Sequence, residues 1–224
     1  MILRVDDYPT GVRPILPDHV EKFGPILDEF EKRGMPYVLG IVPALCDCGD
    51  WAYLRSLKSM VPACHGFDHL YHIYSKLLKD DPYNKGGLAG GSSEFYGLSQ
   101  AATEKLVSSG LYLMRSNLDR KVTRFIPPFN SMNPFLEEVL IKHGVDTLLC
   151  EGAHTSKIPC ISSYPYYIRS SDYQKYPGIA NAICVTLHLT WEWDLLREGT
   201  SKLSELLDFI QPARSLATDV IDPK

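Results

Sequence analysis

Short apolar runs alternate with longer amphipathic stretches along most of this chain. Leu3–Val5 is the first apolar run and predicts a strand, ended at Asp6-Asp7-Tyr8-Pro9 because proline cannot donate to a ladder. Residues 10–17 read as a loop. Val20, Phe23, Ile26, Leu27 and Phe30 then recur at helical spacing, with Asp18 as the capping candidate and Gly34 as the stop. Gly24-Pro25 inside that pattern predicts a kink or a split. Residues 36–43 are almost continuously apolar, as in a strand covered on both faces. Asp50 introduces a helix with Trp51, Leu54 and Leu57, and Val61–Cys64 is a third strand.

Beyond His72 the periodicity dissolves until Leu98, through Asp80-Asp81-Pro82 and six residues of glycine, leucine and alanine, a stretch long enough to serve as a lid over residues 72–98. Those glycines do not read as a phosphate cradle, because no Lys-Ser/Thr follows them. Ser99 caps a helix to about Asn117 that turns Leu106, Leu113 and Met114 inward. Phe125-Ile126 is a brief strand, 134–143 a helix closed by Gly144, and Asp146–Cys150 a strand. Tyr164–Tyr176 is aromatic and irregular, with room for two short strands. Ile183–His188 is the last clear strand, Leu203–Ile210 the last helix, and 212–224 a loose tail. Strands interleaved with helices from the start predict repeated right-handed β-α units in one α/β domain spanning 1–224.

Composition narrows the partners. A net charge of -4 without a basic run argues against nucleic acid, and no apolar run reaches a membrane span. Residues 1–6 already form strand, leaving no secretory leader, so the cytoplasm is the expected location. The six cysteines lack a metal-finger spacing and are expected as free thiols in a reducing compartment.

The chemistry concentrates at strand ends. His65 and His69, four apart after the third strand, can turn both imidazoles toward one point, and a carboxylate from another strand end would complete a site of two nitrogens and one oxygen. Such a trio leaves coordination positions open for water and substrate. Asp6 and Asp7 stand where active-site residues of parallel α/β folds stand, at a strand's carboxyl end. His188 ends the last strand. His72 reads as a neighbour of the site or part of the lid. Arg124 or Asp146 could orient His188 or Asp6. Trp191 and Glu192 offer an aromatic wall and a carboxylate suited to a sugar, or else pack against a helix. His19, His143 and His154 are expected at the surface.

Taken together these residues resemble the polysaccharide-deacetylase superfamily, in a divergent branch of the carbohydrate esterase family 4 kind. The matched segments are Asp6-Asp7, His65-Gly-Phe-Asp-His69, Pro127-Pro128-Phe129-Asn130 and Thr186-Leu187-His188, in the family's order. Four positions depart from its pattern: Tyr8 follows the aspartate pair, Gly66 follows the first histidine, Arg124 is displaced by two from the arginine position, and Asn130 stands for glycine. The resemblance implies a distorted (β/α) barrel of about seven parallel strands, the NodB-homology type. It implies that Asp7, His65 and His69 hold a divalent metal, with Zn2+ first and Co2+, Ni2+, Mn2+ or Fe2+ able to take the same donors. Asp6 would be the general base and His188 the acid for a departing nitrogen, with Phe129 and Asn130 on the substrate side. The implied activity is removal of an N-acyl group, acetyl above all, from a sugar-containing small molecule or oligosaccharide. Two alternatives stand beside it: a catalytically silent carbohydrate-binding relative, and a glycosidase using Asp6 and Glu192 without metal.

Overall fold

Seven strands hydrogen-bond side by side in the order β6-β5-β4-β3-β2-β1-β7: β1 Ile2–Tyr8, β2 Tyr37–Ile41, β3 Met60–Cys64, β4 Arg124–Phe125, β5 Thr147–Cys150, β6 Cys160–Ser162 and β7 Cys184–His188. The neighbours β1/β7, β3/β4, β4/β5 and β5/β6 are parallel. Order and alternation are those of the α/β fold expected, a distorted (β/α) barrel of seven parallel strands. This computed structural model describes residues 1–9, 18–70, 93–150, 157–162, 167–176, 178–179 and 182–210. The expected loop at 10–17, the lid up to residue 92 with His72, His154 and the tail from 212 lie outside the described residues; the remainder of the expected lid, 93–98, is described and begins with Ser93, Glu94 and Phe95, all buried. No helix among the described residues is long and apolar enough to cross a membrane.

The chain forms two compact units. One comprises Met1–Gly40, Cys46–Val61 and Ser163–Lys224. In it α1, His19–Lys32, buries Phe23, Ile26, Leu27 and Phe30 on the face the periodicity marked. Pro25 does not split α1: the preceding Gly24 has no Cβ for the proline ring to strike. Asp18 sits at the cap with φ 85° but its side chain caps nothing. For α2, Cys48–Ser56, the cap is Asp47, and Asp50 is the third helical residue closing a reciprocal capping box. Asp50 also accepts from the Tyr8 hydroxyl at 2.8 Å and pairs with His19 Nδ1 at 2.8 Å. His19 is therefore only 7% exposed, against the surface position expected, because a buried carboxylate on a neighbouring helix needs partners. Two short helices complete the unit, α5 Leu189–Arg197 and α6 Leu203–Ile210.

The other unit is Ile41–Leu45 with Pro62–Ser162. Ser99 caps α3, Gln100–Asn117, by accepting from Ala102 N–H. The inward face of α3 is Thr103, Val107, Gly110, Leu111 and Met114, whereas Leu106 and Leu113 are half-buried. Gly110 sets that face, since a Cβ there would lie 3.0 Å from Gly66 O and 3.2 Å from Cys64 Sγ. Helix α4 is Leu136–Lys142. β6 is a strand the apolar pattern did not mark, and Cys160 on it is disulfide-bonded to Cys150 on β5. Two of the six cysteines are thus paired, contrary to the expectation of free thiols; β5 and β6 run side by side, which sequence spacing alone does not disclose.

Two outcomes follow from this packing. Gly110→Ala should destabilise the protein by about 1–3 kcal/mol in urea unfolding, because the helix preference for alanine, about 1 kcal/mol, is outweighed by a clash with a fixed carbonyl. Neutral or improved stability would contradict the close α3–β3 approach. Burial pushes the Cys184 thiol up to about 12 and raises Cys64 as well, whereas Cys48 is exposed. A thiol reagent at pH 8 should therefore modify Cys48 first, and reach Cys64 and Cys184 only on unfolding.

Candidate active site and metal centre

In the first unit, the site residues belong to the ends of β1 and β7. The ladder pairs Asp6 with His188 in register. Arg4 and Asp6, two apart on a strand, share a face. Both are 1% exposed, and the guanidinium grips the carboxylate with both forks, Nε to Oδ1 at 2.8 Å and the second nitrogen to Oδ2 at 2.6 Å. Burial works against the charge on Arg4, but the facing Asp6 carboxylate holds its pKa above the usual value. Asp7 takes φ 74°, a left-handed backbone that a non-glycine residue adopts only under constraint.

His188 Nε2 stands 3.9 Å from Asp6 Oδ2 and 3.9 Å from Asp7 Oδ2, close enough for charge to be felt and too far for a direct hydrogen bond. Its ring lies between Tyr167, 5.5 Å away, and Trp191, 4.2 Å away. Arg4 lies over the Tyr167 ring and Arg169 over Trp191. His188 Nδ1 is buried and has no hydrogen-bond partner among the described residues. Stacking, rather than a second hydrogen bond, holds this imidazole. Glu192, on α5, turns inward: it is 1% exposed and accepts from Ser170 N–H at 2.7 Å, and burial raises its pKa.

In the second unit the site is the turn after β3. His65 Nδ1 lies 2.9 Å from the Ile126 carbonyl, so Nδ1 carries the proton and Nε2 keeps its lone pair for a ligand. His69 has φ 55°; its ring centroid is 4.8 Å from that of His65 and 4.4 Å from that of Phe129. Phe129 and Asn130 also have positive φ, in the short 3-10 turn after β4. Behind the turn lies Glu94, accepting from Phe67 N–H at 2.6 Å and His69 N–H at 3.1 Å. Burial pushes the Glu94 carboxyl up to about 7, against the pull of the Phe67 N–H.

Asp7 offers a carboxylate oxygen near the end of β1 in the first unit, and His65 and His69 offer one imidazole nitrogen each in the turn after β3 in the second. These are the three residues singled out from the sequence as candidate ligands. Two imidazole nitrogens and a carboxylate oxygen suit Zn2+ and its first-row neighbours. Arg124 and Asp146 were the orienting partners expected for His188 or Asp6, whereas the residue that holds Asp6 is Arg4. Asp146 is exposed at the start of β5, accepting from the Thr147 hydroxyl, and Arg124 lies on β4 opposite Ala63. Arg4 was legible in principle as a charge in an apolar strand, two residues from Asp6. Glu94 was not, since 25 and 27 positions separate it from the groups it binds.

The architecture is shared with solved carbohydrate esterase family 4 structures. A family 4 domain of a multidomain xylanase from the hindgut metagenome of Trinervitermes trinervoides superposes with a TM-score of 0.58 at 11% identity, covering 95% of this chain and 83% of that one. A family 4 acetyl xylan esterase from Clostridium thermocellum, in complex with a cobalt ion, gives 0.56 at 16%, covering 94% and 81%. A family 4 esterase from Streptomyces lividans, in complex with acetate, gives 0.54 at 15%, covering 92% and 86%. A family 4 pseudoenzyme from Bacillus anthracis gives 0.51 at 12%, covering 92% and 60%. At such identities the likeness shows the fold alone, the distorted (β/α) barrel, and leaves activity to the site. No family model and no curated protein matches the chain.

The Arg4 pair is testable alone. Arg4→Leu leaves a buried carboxylate without its partner and should cost about 3–5 kcal/mol in denaturant unfolding at pH 7. A cost below 1 kcal/mol would mean that Asp6 is not held as described.

Proposed function

We propose that this protein is a metal-dependent hydrolase that removes an N-acyl group, acetyl above all, from a sugar or a sugar-containing small molecule. The observation that carries the reading is the His65 and His69 pair, whose ring centroids stand 4.8 Å apart in one turn. Two imidazole nitrogens, with a carboxylate such as that of Asp7 as third donor, fit an ion of the zinc kind. The hydrogen bond from His65 Nδ1 to Ile126 O has already chosen the tautomer such a site requires. A divalent ion held there supplies Lewis acidity, lowering the pKa of water from about 15.7 to about 7 and polarising an acyl carbonyl.

The remaining chemistry falls to the chain itself. Asp6 is the base. Each of its oxygens accepts one bond from Arg4 and retains a second lone pair, so the carboxylate is oriented yet able to take a proton from water. His188, stacked between Tyr167 and Trp191, donates the proton that an amide nitrogen needs to leave. Trp191 beside His188, and Phe129 beside His69, each offer apolar surface of the kind that suits a sugar ring or an acyl methyl. The metal-free glycosidase reading loses ground on Glu192, whose burial and bond to Ser170 N–H turn it away from solvent.

The test combines metal analysis with turnover. Purified protein should carry about one divalent ion per chain, lost in His65→Ala and in Asp7→Ala. Asp6→Asn should keep the ion and lower acetate release from N-acetylated sugars by about 10²- to 10⁴-fold. Metal content unchanged in both ligand variants would overturn the site, and an ion bound without acetate release across the panel would favour the silent sugar-binding relative.

A further inference from the structure

We propose that Glu94 is a positioning residue for the His65 and His69 pair, its carboxylate setting the backbone path that fixes how far apart the two imidazoles present themselves to a metal ion. The inference rests on the metal-site reading above and adds a residue that the motif does not contain. His69 is held at φ 55°, a conformation that is costly for a residue with a side chain and persists only where its surroundings over-determine it. Glu94 supplies that determination. It is 0% exposed; Oε1 accepts the Phe67 N–H and Oε2 the His69 N–H, so one rigid group spans the turn and pins the second histidine by its own backbone.

The turn is shaped to receive the carboxylate. Gly66 has φ 74°, and a Cβ there would overlap Glu94 Oε2 and Pro128 Cγ, so the space glycine leaves is the space Glu94 fills. The rest of the loop is fastened within the same unit: His65 N–H donates to Ile41 O at 2.8 Å, Ala44 N–H donates to Phe67 O at 3.0 Å, and the Cys64 thiol reaches Gly66 O at 3.1 Å. Two facing N–H groups call for two acceptors. An ionised carboxylate has them, whereas glutamine offers one and sets an N–H₂ against the other donor. Glu94 is closed off from solvent, so it acts through the loop and not on a substrate.

Co2+ binding to the full chain is the test, read by calorimetry and by the visible absorption of the bound ion. Glu94→Gln should weaken Co2+ about 10- to 100-fold and shift the absorption band, the size of effect that groups supporting a ligand commonly have. Glu94→Asp keeps both acceptors one methylene short and should recover part of that loss; it carries the test if the glutamine variant proves insoluble. Leu140→Ala, a core truncation on α4, is the control: its unfolding midpoint falls while Co2+ affinity and spectrum stay as in the wild type. Wild-type affinity and spectrum in both Glu94 variants, with His65→Ala abolishing binding, would overturn the positioning role alone. Failure of the wild-type protein to bind Co2+ would overturn the metal site and this inference with it.

Discussion

At the carboxyl end of a parallel strand the hydrogen-bond ladder stops, and the next few backbone groups must find other partners if they are buried. That requirement organises the turn after β3. The first group out of the strand, His65 N–H, is taken by Ile41 O, and two donors further along the turn, on Phe67 and His69, are taken by one carboxylate. The side chains carried by this turn are the two imidazoles. Their placement is thus a by-product of satisfying the backbone, and the positive φ values at Gly66 and His69 are what that satisfaction demands.

At β1 and β7 the same end-of-strand position is stabilised differently. A buried carboxylate is costly unless an opposite charge meets it with good geometry, and the two-pronged Arg4 contact with Asp6 is that geometry. Arg4 then stacks against Tyr167, Tyr167 against His188, and His188 against Trp191, so that one buried charge pair anchors a column of aromatic rings. The consequence for function is division of labour between adjacent carboxylates. Asp6 is gripped by an arginine, while Asp7, on a left-handed backbone, is the candidate ligand.

Most of the elements were legible because burial leaves a period in the sequence. The apolar run at 36–43 became β2, the spacing of Phe23 to Phe30 became the buried face of α1, and Ser99 became a true cap. Elements too short to show a period were missed: β6 has three residues, and α5 follows β7 without a break, its tryptophans and Glu192 masking the change from strand to helix. Asp47 was overlooked as a cap because Asp50 has the same chemistry three positions later, and only the capping geometry separates them.

The candidate ligands could be named from the sequence, since their chemistry and their places at strand ends are local properties. Partnerships across long separations could not be read that way. Glu94 under the His69 backbone, His19 on Asp50 and Cys160 on Cys150 depend on which segments lie side by side, and that is decided by packing the whole chain. The sequence by itself determined the candidate donors and the strands that carry them. Tertiary structure alone decided what holds each donor in place, because burial makes every polar group take whatever partner the fold brings within reach.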